Sequence, residues 1–155
     1  MATSLSQIEL YPNSIQEEVL LHHSNLLKTV RYELEKADIA HKNVFRKHYT
    51  LQELFMLLKQ MHLYNPAYSS LYSKSLHYVA REVGGHKVAF LPATADITTY
   101  PISVPVTGIT LTYGYFTTKK YGSIVTNGIL RTRVNMTDAF IYRTNRGWML
   151  SLLTA

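Results

Sequence analysis

Residues 109–134 read ITLTYGYFTTKKYGSIVTNGILRTRV, and the period of that run decides the fold class. Branched and aromatic residues alternate with polar ones in three pieces: Ile109 to Tyr115, Tyr121 to Thr126 and Ile129 to Val134. A period of two sends successive side chains to opposite faces of a strand. Asn127-Gly128 joins the last two pieces, and a two-residue hairpin turn needs positive φ at both of its central positions, which Asn and Gly tolerate. Toward the C-terminus, Thr137 to Arg143 and Trp148 to Leu153 continue the pattern around a second turn, Asn145-Arg146-Gly147. Toward the N-terminus, Lys87 to Leu91 fits one more strand, and Pro92, Pro101 and Pro105 break the chain between it and Ile109 into short edge-like pieces. Several short strands at this spacing predict a small β-barrel, whose closure removes exposed edges.

Upstream of Gly84-Gly85 the period is helical. Gln7 to Tyr11 alternates weakly and stops at Pro12-Asn13, so a short strand enters a turn there. Ser14 and Glu17 have capping-box spacing, and Ile15, Val19, Leu26, Val30 and Leu34 predict a helix to about Lys36. Residues 38–48 are polar and basic, a connection or an extension of that helix. Thr50 and Glu53 repeat the capping box ahead of Leu51, Leu54, Phe55, Leu58 and Met61, and Asn65-Pro66 ends this second helix. A third, from about Ser69, aligns Tyr72, Leu76, Val79 and Val83, with Gly84-Gly85 as its stop. The expected fold class is α+β: a three-helix bundle (13–85) inserted into a small β-barrel (86–155), which an N-terminal strand (1–12) rejoins.

At 155 residues and 46% hydrophobic, the chain can bury a core without help. It has no Cys, which excludes disulfides, thiolate chemistry and cysteine zinc sites. Its first twenty residues lack a basic and then apolar leader, and no apolar run reaches the length of a membrane span, so a cytoplasmic protein with no membrane partner is expected. Twelve Tyr favour half-wet surfaces, where a ring packs and a hydroxyl meets water.

The charge is unevenly placed. Lys119, Lys120, Arg131, Arg133, Arg143 and Arg146 face only Asp138 between residue 100 and the end, so this stretch carries +5 of the net +6. Such a basic run, interleaved with Tyr113, Tyr115, Phe116, Tyr121, Phe140, Tyr142 and Trp148, suits phosphates and base faces together. Arg131 and Arg133 lie two apart and so share a strand face, where like charges are favoured only around an anion. The candidate nucleic-acid-binding residues are Lys119, Lys120, Tyr121, Arg131, Arg133, Arg143 and Arg146, with Tyr121 placed to stack on an exposed base. Trp148 is read as packing rather than stacking.

A reaction centre is harder to find. The seven His (22, 23, 41, 48, 62, 77 and 86) make no metal-binding spacing, and His22 and His23, being adjacent, cannot both reach one metal from a helix. No glycine-framed serine and no phosphate-cradling glycine loop is present. A two-metal nuclease needs several carboxylates from separate strands, and the expected strands from Ile109 onward offer only Asp138. No catalytic residue, metal site or cofactor is expected, although a small-ligand enzyme using His86 or Tyr residues at a barrel mouth is a further reading.

The order of parts resembles the N-terminal half of TnpB, the transposon-encoded RNA-guided nuclease related to type V CRISPR effectors. Leu10, Tyr11, Pro12 and Gln16 stand where that family has a strand, a Tyr-Pro turn and a helix-opening Gln. Leu54 to Gln60 and Ser75 to Arg81 resemble its recognition helices, and Thr118 to Gly122, Arg133 to Arg143 and Gly147 to Leu153 resemble its barrel strands. Leu20, Leu21, His22 and His23 depart from the family's aromatic-rich pattern after the Gln. The resemblance implies that the helices 13–85 form a recognition lobe and the barrel 86–155 is a wedge-like, oligonucleotide-binding-like β-barrel, and that both hold guide RNA and the guide–target duplex. It also implies that the RuvC-like nuclease half and the zinc-ribbon cysteines would come after Ala155. The expected function is non-catalytic binding of a structured RNA, or of an RNA–DNA duplex, by a truncated or split relative, with a separate nuclease subunit supplying the acidic residues. The alternative is a structural RNA-binding component of a ribonucleoprotein or virion.

Overall fold

The computed structural model describes residues 4–85, 97–127 and 136–154. It is an α+β chain of three α-helices and a seven-stranded antiparallel sheet. Strands β1 (Ser4–Tyr11), β2 (Ile102–Val104), β3 (Thr110–Thr112), β4 (Tyr115–Thr118), β5 (Gly122–Thr126), β6 (Met136–Thr144) and β7 (Gly147–Thr154) lie in the order β2-β6-β7-β1-β5-β4-β3. Among the described residues no pairing joins β2 to β3, so the sheet is open. The chain divides into two compact units, Met1–Ser24 with Phe90–Ala155, and Asn25–Ala89.

In the first unit the N-terminal strand is the centre of the sheet. Leu10 pairs with Trp148 of β7 on one side and with Thr126 of β5 on the other. Cross-strand partners share a face, so Leu10, Trp148, Leu150, Ile141, Ile102, Ile124, Phe116 and Leu111 form one buried surface. Helix α1 (Ser14–Phe45) contributes its residues 14–24 to this unit and is tied there by polar contacts. Ser24 Oγ donates to the Tyr100 carbonyl at 3.0 Å, and the Trp148 indole N–H donates to Glu17 at 3.2 Å. On the opposite face Tyr142 is also buried, and its hydroxyl is satisfied by Ser151 Oγ at 2.6 Å and by the Gln7 amide at 3.2 Å. The short strand β2, bounded by Pro101 and Pro105, is an edge, the place where a missing backbone donor costs least.

The second unit is helical. α1 continues through residues 38–45 rather than stopping near Lys36, and Arg46, at φ 60, ends it while its N–H reaches the Lys42 carbonyl. The next turn is held by Asp38, which accepts from His48 Nδ1 at 2.7 Å and from the Tyr49 N–H at 2.8 Å. Helix α2 (Leu51–Tyr64) opens on a complete capping box between Thr50 and Glu53. Pro66–Ser70 forms a 3₁₀ turn, so helix α3 (Ser73–Val83) begins four residues later than its periodicity suggests. Arg31 bridges Glu35 and Glu82, linking α1 to α3.

Two expectations need correction. The buried stripe of α1 is Leu20, Leu27, Val30 and Leu34, whereas Ile15 is 72% exposed, because the helix turns the polar pair His23 and Ser24 inward to meet Tyr121 and Tyr100. Residues 109–115 are not one strand: Gly114, at φ 79, turns the chain between β3 and β4. The turn before β7 does form, with Gly147 at φ 119, a backbone open to glycine and strained for other residues. The expected strands Lys87 to Leu91 and Ile129 to Val134, Pro92, His86 and Gly128 of the Asn127-Gly128 turn lie outside the described residues.

Candidate nucleic-acid interface

Lys119 and Lys120 form the turn between β4 and β5, Arg143 is near the end of β6, and Arg146 is in the turn to β7; all four are exposed. Arg131 and Arg133 lie outside the described residues. Register fixes where the turns fall. β1 runs antiparallel to both of its neighbours: it ends level with the start of β7, and its last residue, Tyr11, pairs with Val125, so β5 begins three residues further along in the same direction. The β4–β5 and β6–β7 turns therefore point toward the same end of the sheet, three strand spacings (about 14 Å) apart across it and offset by about three residues (about 10 Å) along the strands. The four described cations of the C-terminal stretch, far apart in sequence, are gathered along that end.

The neighbourhoods of these cations differ. Arg143 is anchored through its backbone: its N–H donates to Thr99 Oγ1 at 2.8 Å and its carbonyl accepts from the Thr98 N–H at 2.8 Å. Arg146 borders a groove of about 240 Å³ with Leu10, Tyr11, Pro12, Gly147 and Trp148, in which Glu9 and Glu17 also sit. Two carboxylates in that groove offset its cation, so the lysine turn is the more attractive end for phosphate. Helix α1 also begins at this end. Asn13 Oδ1 accepts from the Gln16 N–H at 2.8 Å, and Gln16 Oε1 accepts from the Asn13 N–H at 3.0 Å, a reciprocal cap.

Tyr121 does not take the role its sequence suggests. It is 4% exposed, and its hydroxyl lies 2.7 Å from His23 Nδ1, with the two rings edge to face at 5.4 Å. With its hydroxyl committed and its ring enclosed, it is a packing residue that fixes the lysine turn against α1. Burial, helped by the nearby His22 and Lys120 charges, brings the His23 pKa down to about 4, so the imidazole is neutral at pH 7. Gln16 completes the anchorage by donating from Nε2 to the Tyr121 and Ser123 carbonyls, at 3.1 and 2.8 Å.

The exposed aromatic residues are elsewhere. Val125 pairs with Tyr11 on one side and Tyr115 on the other, so the three form one row across β1, β5 and β4 on the face opposite the buried surface. Tyr11 is 50% and Tyr115 48% exposed. The sequence signal for Tyr115 is its alternation with buried Phe116; nothing local to the sequence brings Tyr11 beside it.

Among the described residues no group of three or more His, Asp or Glu is placed to hold a metal ion, and no helix is long and apolar enough to cross a membrane. No protein-family model matches the chain, and no curated protein is significantly similar to it.

Proposed function

We propose that this chain binds nucleic acid without catalysing a reaction on it, holding a structured RNA or an RNA–DNA duplex by its phosphates along the basic end of the sheet. The observation that carries this reading is the gathering of Lys119, Lys120, Arg143 and Arg146 at one end by the antiparallel register. Exposed cations on rigid turns meet a polyanion with little ordering cost, and binding releases the counterions of the phosphates they neutralise. The finer architecture belongs to the same proposal: the strands curl toward an oligonucleotide-binding-like barrel, with the helical bundle inserted after the first strand. So does kinship to the transposon-encoded RNA-guided nucleases, in which cutting would fall to a separate subunit.

The test is a fluorescence-anisotropy titration of a 20-base-pair RNA duplex at several salt concentrations. Log K should fall linearly with log[salt], with a slope of about −3 to −5, and Lys119→Ala with Lys120→Ala should flatten that slope by roughly 1.5. Absence of binding at 50 mM salt, or binding that salt leaves unchanged, would overturn the reading.

A further inference from the structure

We propose that the exposed face of β1, β5 and β4 is a base-stacking platform that takes unpaired bases of the bound RNA on Tyr11 and Tyr115. The inference rests on the nucleic-acid reading above and names which part of the ligand meets this face. The register sets the two tyrosines about 10 Å apart, two strand spacings, with Val125 as an apolar floor between them. Both rings are half exposed on regular strands, so their backbones are already ordered and a stacked base adds little entropic cost. Aromatic faces accept any base, and unpaired bases of loops and bulges are the part of an RNA that can reach them.

Charge orients the strand. Glu9 lies on the same face as Tyr11 and accepts from its hydroxyl at 2.7 Å, and with Glu17 it offsets Arg146 in the adjoining groove, so this corner attracts phosphate less than the lysine turn does. Lys119 and Lys120 lie at the other end of β4, about 13 Å along from Tyr115. An RNA therefore places its bases over the tyrosines and its phosphates toward the lysine turn. Between the two, the Thr117 and Ser123 hydroxyls, 2.8 Å apart, offer polar contacts to ribose. A fully paired duplex has no free base to offer and binds at the cationic end alone.

The experiment compares two RNAs of equal stem, a blunt duplex and a hairpin with a four-base loop carrying 2-aminopurine, against the wild type, Tyr11→Leu with Tyr115→Leu, and Tyr11→Phe with Tyr115→Phe. Wild type should bind the hairpin roughly ten- to a hundredfold tighter than the duplex and quench the 2-aminopurine. The Leu pair keeps strand-compatible side chains; it should lose that preference and the quenching while binding the duplex as before, and the Phe pair should keep both. Equal binding of hairpin and duplex by the wild type, or a Leu pair that behaves as wild type, would overturn the platform and leave phosphate binding standing. Binding of neither RNA by the wild type would overturn both readings. A loss of duplex binding in the Leu pair, with an unchanged circular-dichroism melt, would also overturn the platform, since it would put the tyrosines in general rather than base-directed binding.

Discussion

His23 is a titratable group that the fold keeps uncharged. It is buried, its Nδ1 lies 2.7 Å from the Tyr121 hydroxyl, and burial together with the His22 and Lys120 charges lowers its pKa from 6.5 to about 4. With Nε2 carrying the proton, the Tyr121 hydroxyl donates to Nδ1 and both groups are satisfied. In the unfolded chain the imidazole takes up a proton as pH drops through 6.5, and in the folded chain it does so only near 4. The stabilisation is therefore complete above pH 6.5 and is lost as pH falls from there to 4, by about 3 kcal/mol. Urea denaturation at pH 7.5, 6, 5 and 4 should show this loss in the wild type. His23→Asn, whose amide oxygen stands near the Nδ1 position, should be less stable at pH 7.5 and flatter in pH dependence; a wild type and variant with parallel pH profiles would remove His23 as the cause. Sequence reading finds no metal-binding spacing among the His residues and does not single out His23, and it gives Tyr121 to a ligand. Tyr121 lies in the β4–β5 turn, ahead of Gly122 at φ 69, so the alternation of β5 does not extend to it, and nothing local to the sequence says that His23 and Gln16 of α1 close over it.

At the scale of elements, the local signals are strongest where the chain satisfies itself. The capping box at Thr50, the stop at Asn65-Pro66 and the strands β6 and β7 are legible because caps, prolines and alternation act within a few residues. The two misread elements have different causes. The buried face of α1 is set by Tyr121 and Tyr100, some 76 to 98 residues away; the break in residues 109–115 is instead local, a tight turn at Tyr113-Gly114 that pairs Thr112 with Tyr115 and whose mark in the sequence is the glycine. Gln16 joins the two kinds of information, since it caps its own helix and reaches across to the lysine turn. Its Oε1 accepts from Asn13, and its Nε2 donates to the carbonyls of Tyr121 and Ser123. Gln16→Ala should cost about 1 to 3 kcal/mol in urea denaturation at pH 7.5, because those carbonyls lose their donor. Gln16→Glu should cost more, since an ionised oxygen would face two carbonyl oxygens. A Glu variant as stable as wild type would mean that the two contacts contribute nothing net. The same substitutions should weaken duplex binding, because the turn carrying Lys119 and Lys120 is held through Tyr121.

Across the whole molecule, the first strand decides whether the sheet is one object or two. β1 pairs with β7 from Ser4 to Leu10 and with β5 at Leu10 and Tyr11, and among the described strands it alone joins β5, β4 and β3 to β7, β6 and β2. These contacts bring together residues separated by more than a hundred positions, so they form late and carry a large loop-closure cost. Such pairing leaves no local mark, which is why the central place of residues 4–11 and the convergence of the basic turns are not visible in composition or periodicity. Deleting residues 1–12 should therefore split the sheet while leaving the caps and side-chain contacts of residues 25–85 in the sequence. Trp148, the only tryptophan, is the reporter: it is buried opposite Leu10 and donates to Glu17. In the deleted chain its emission should shift to the red and lose its cooperative transition in urea, while the far-ultraviolet helical signal largely persists. Duplex binding should weaken and lose salt slope together, because the β4–β5 and β6–β7 turns would no longer be held at one end of a common sheet. An unshifted Trp148 emission with an intact cooperative transition would show that β5 and β7 are held together without β1, and the placement of the basic end would then need another cause.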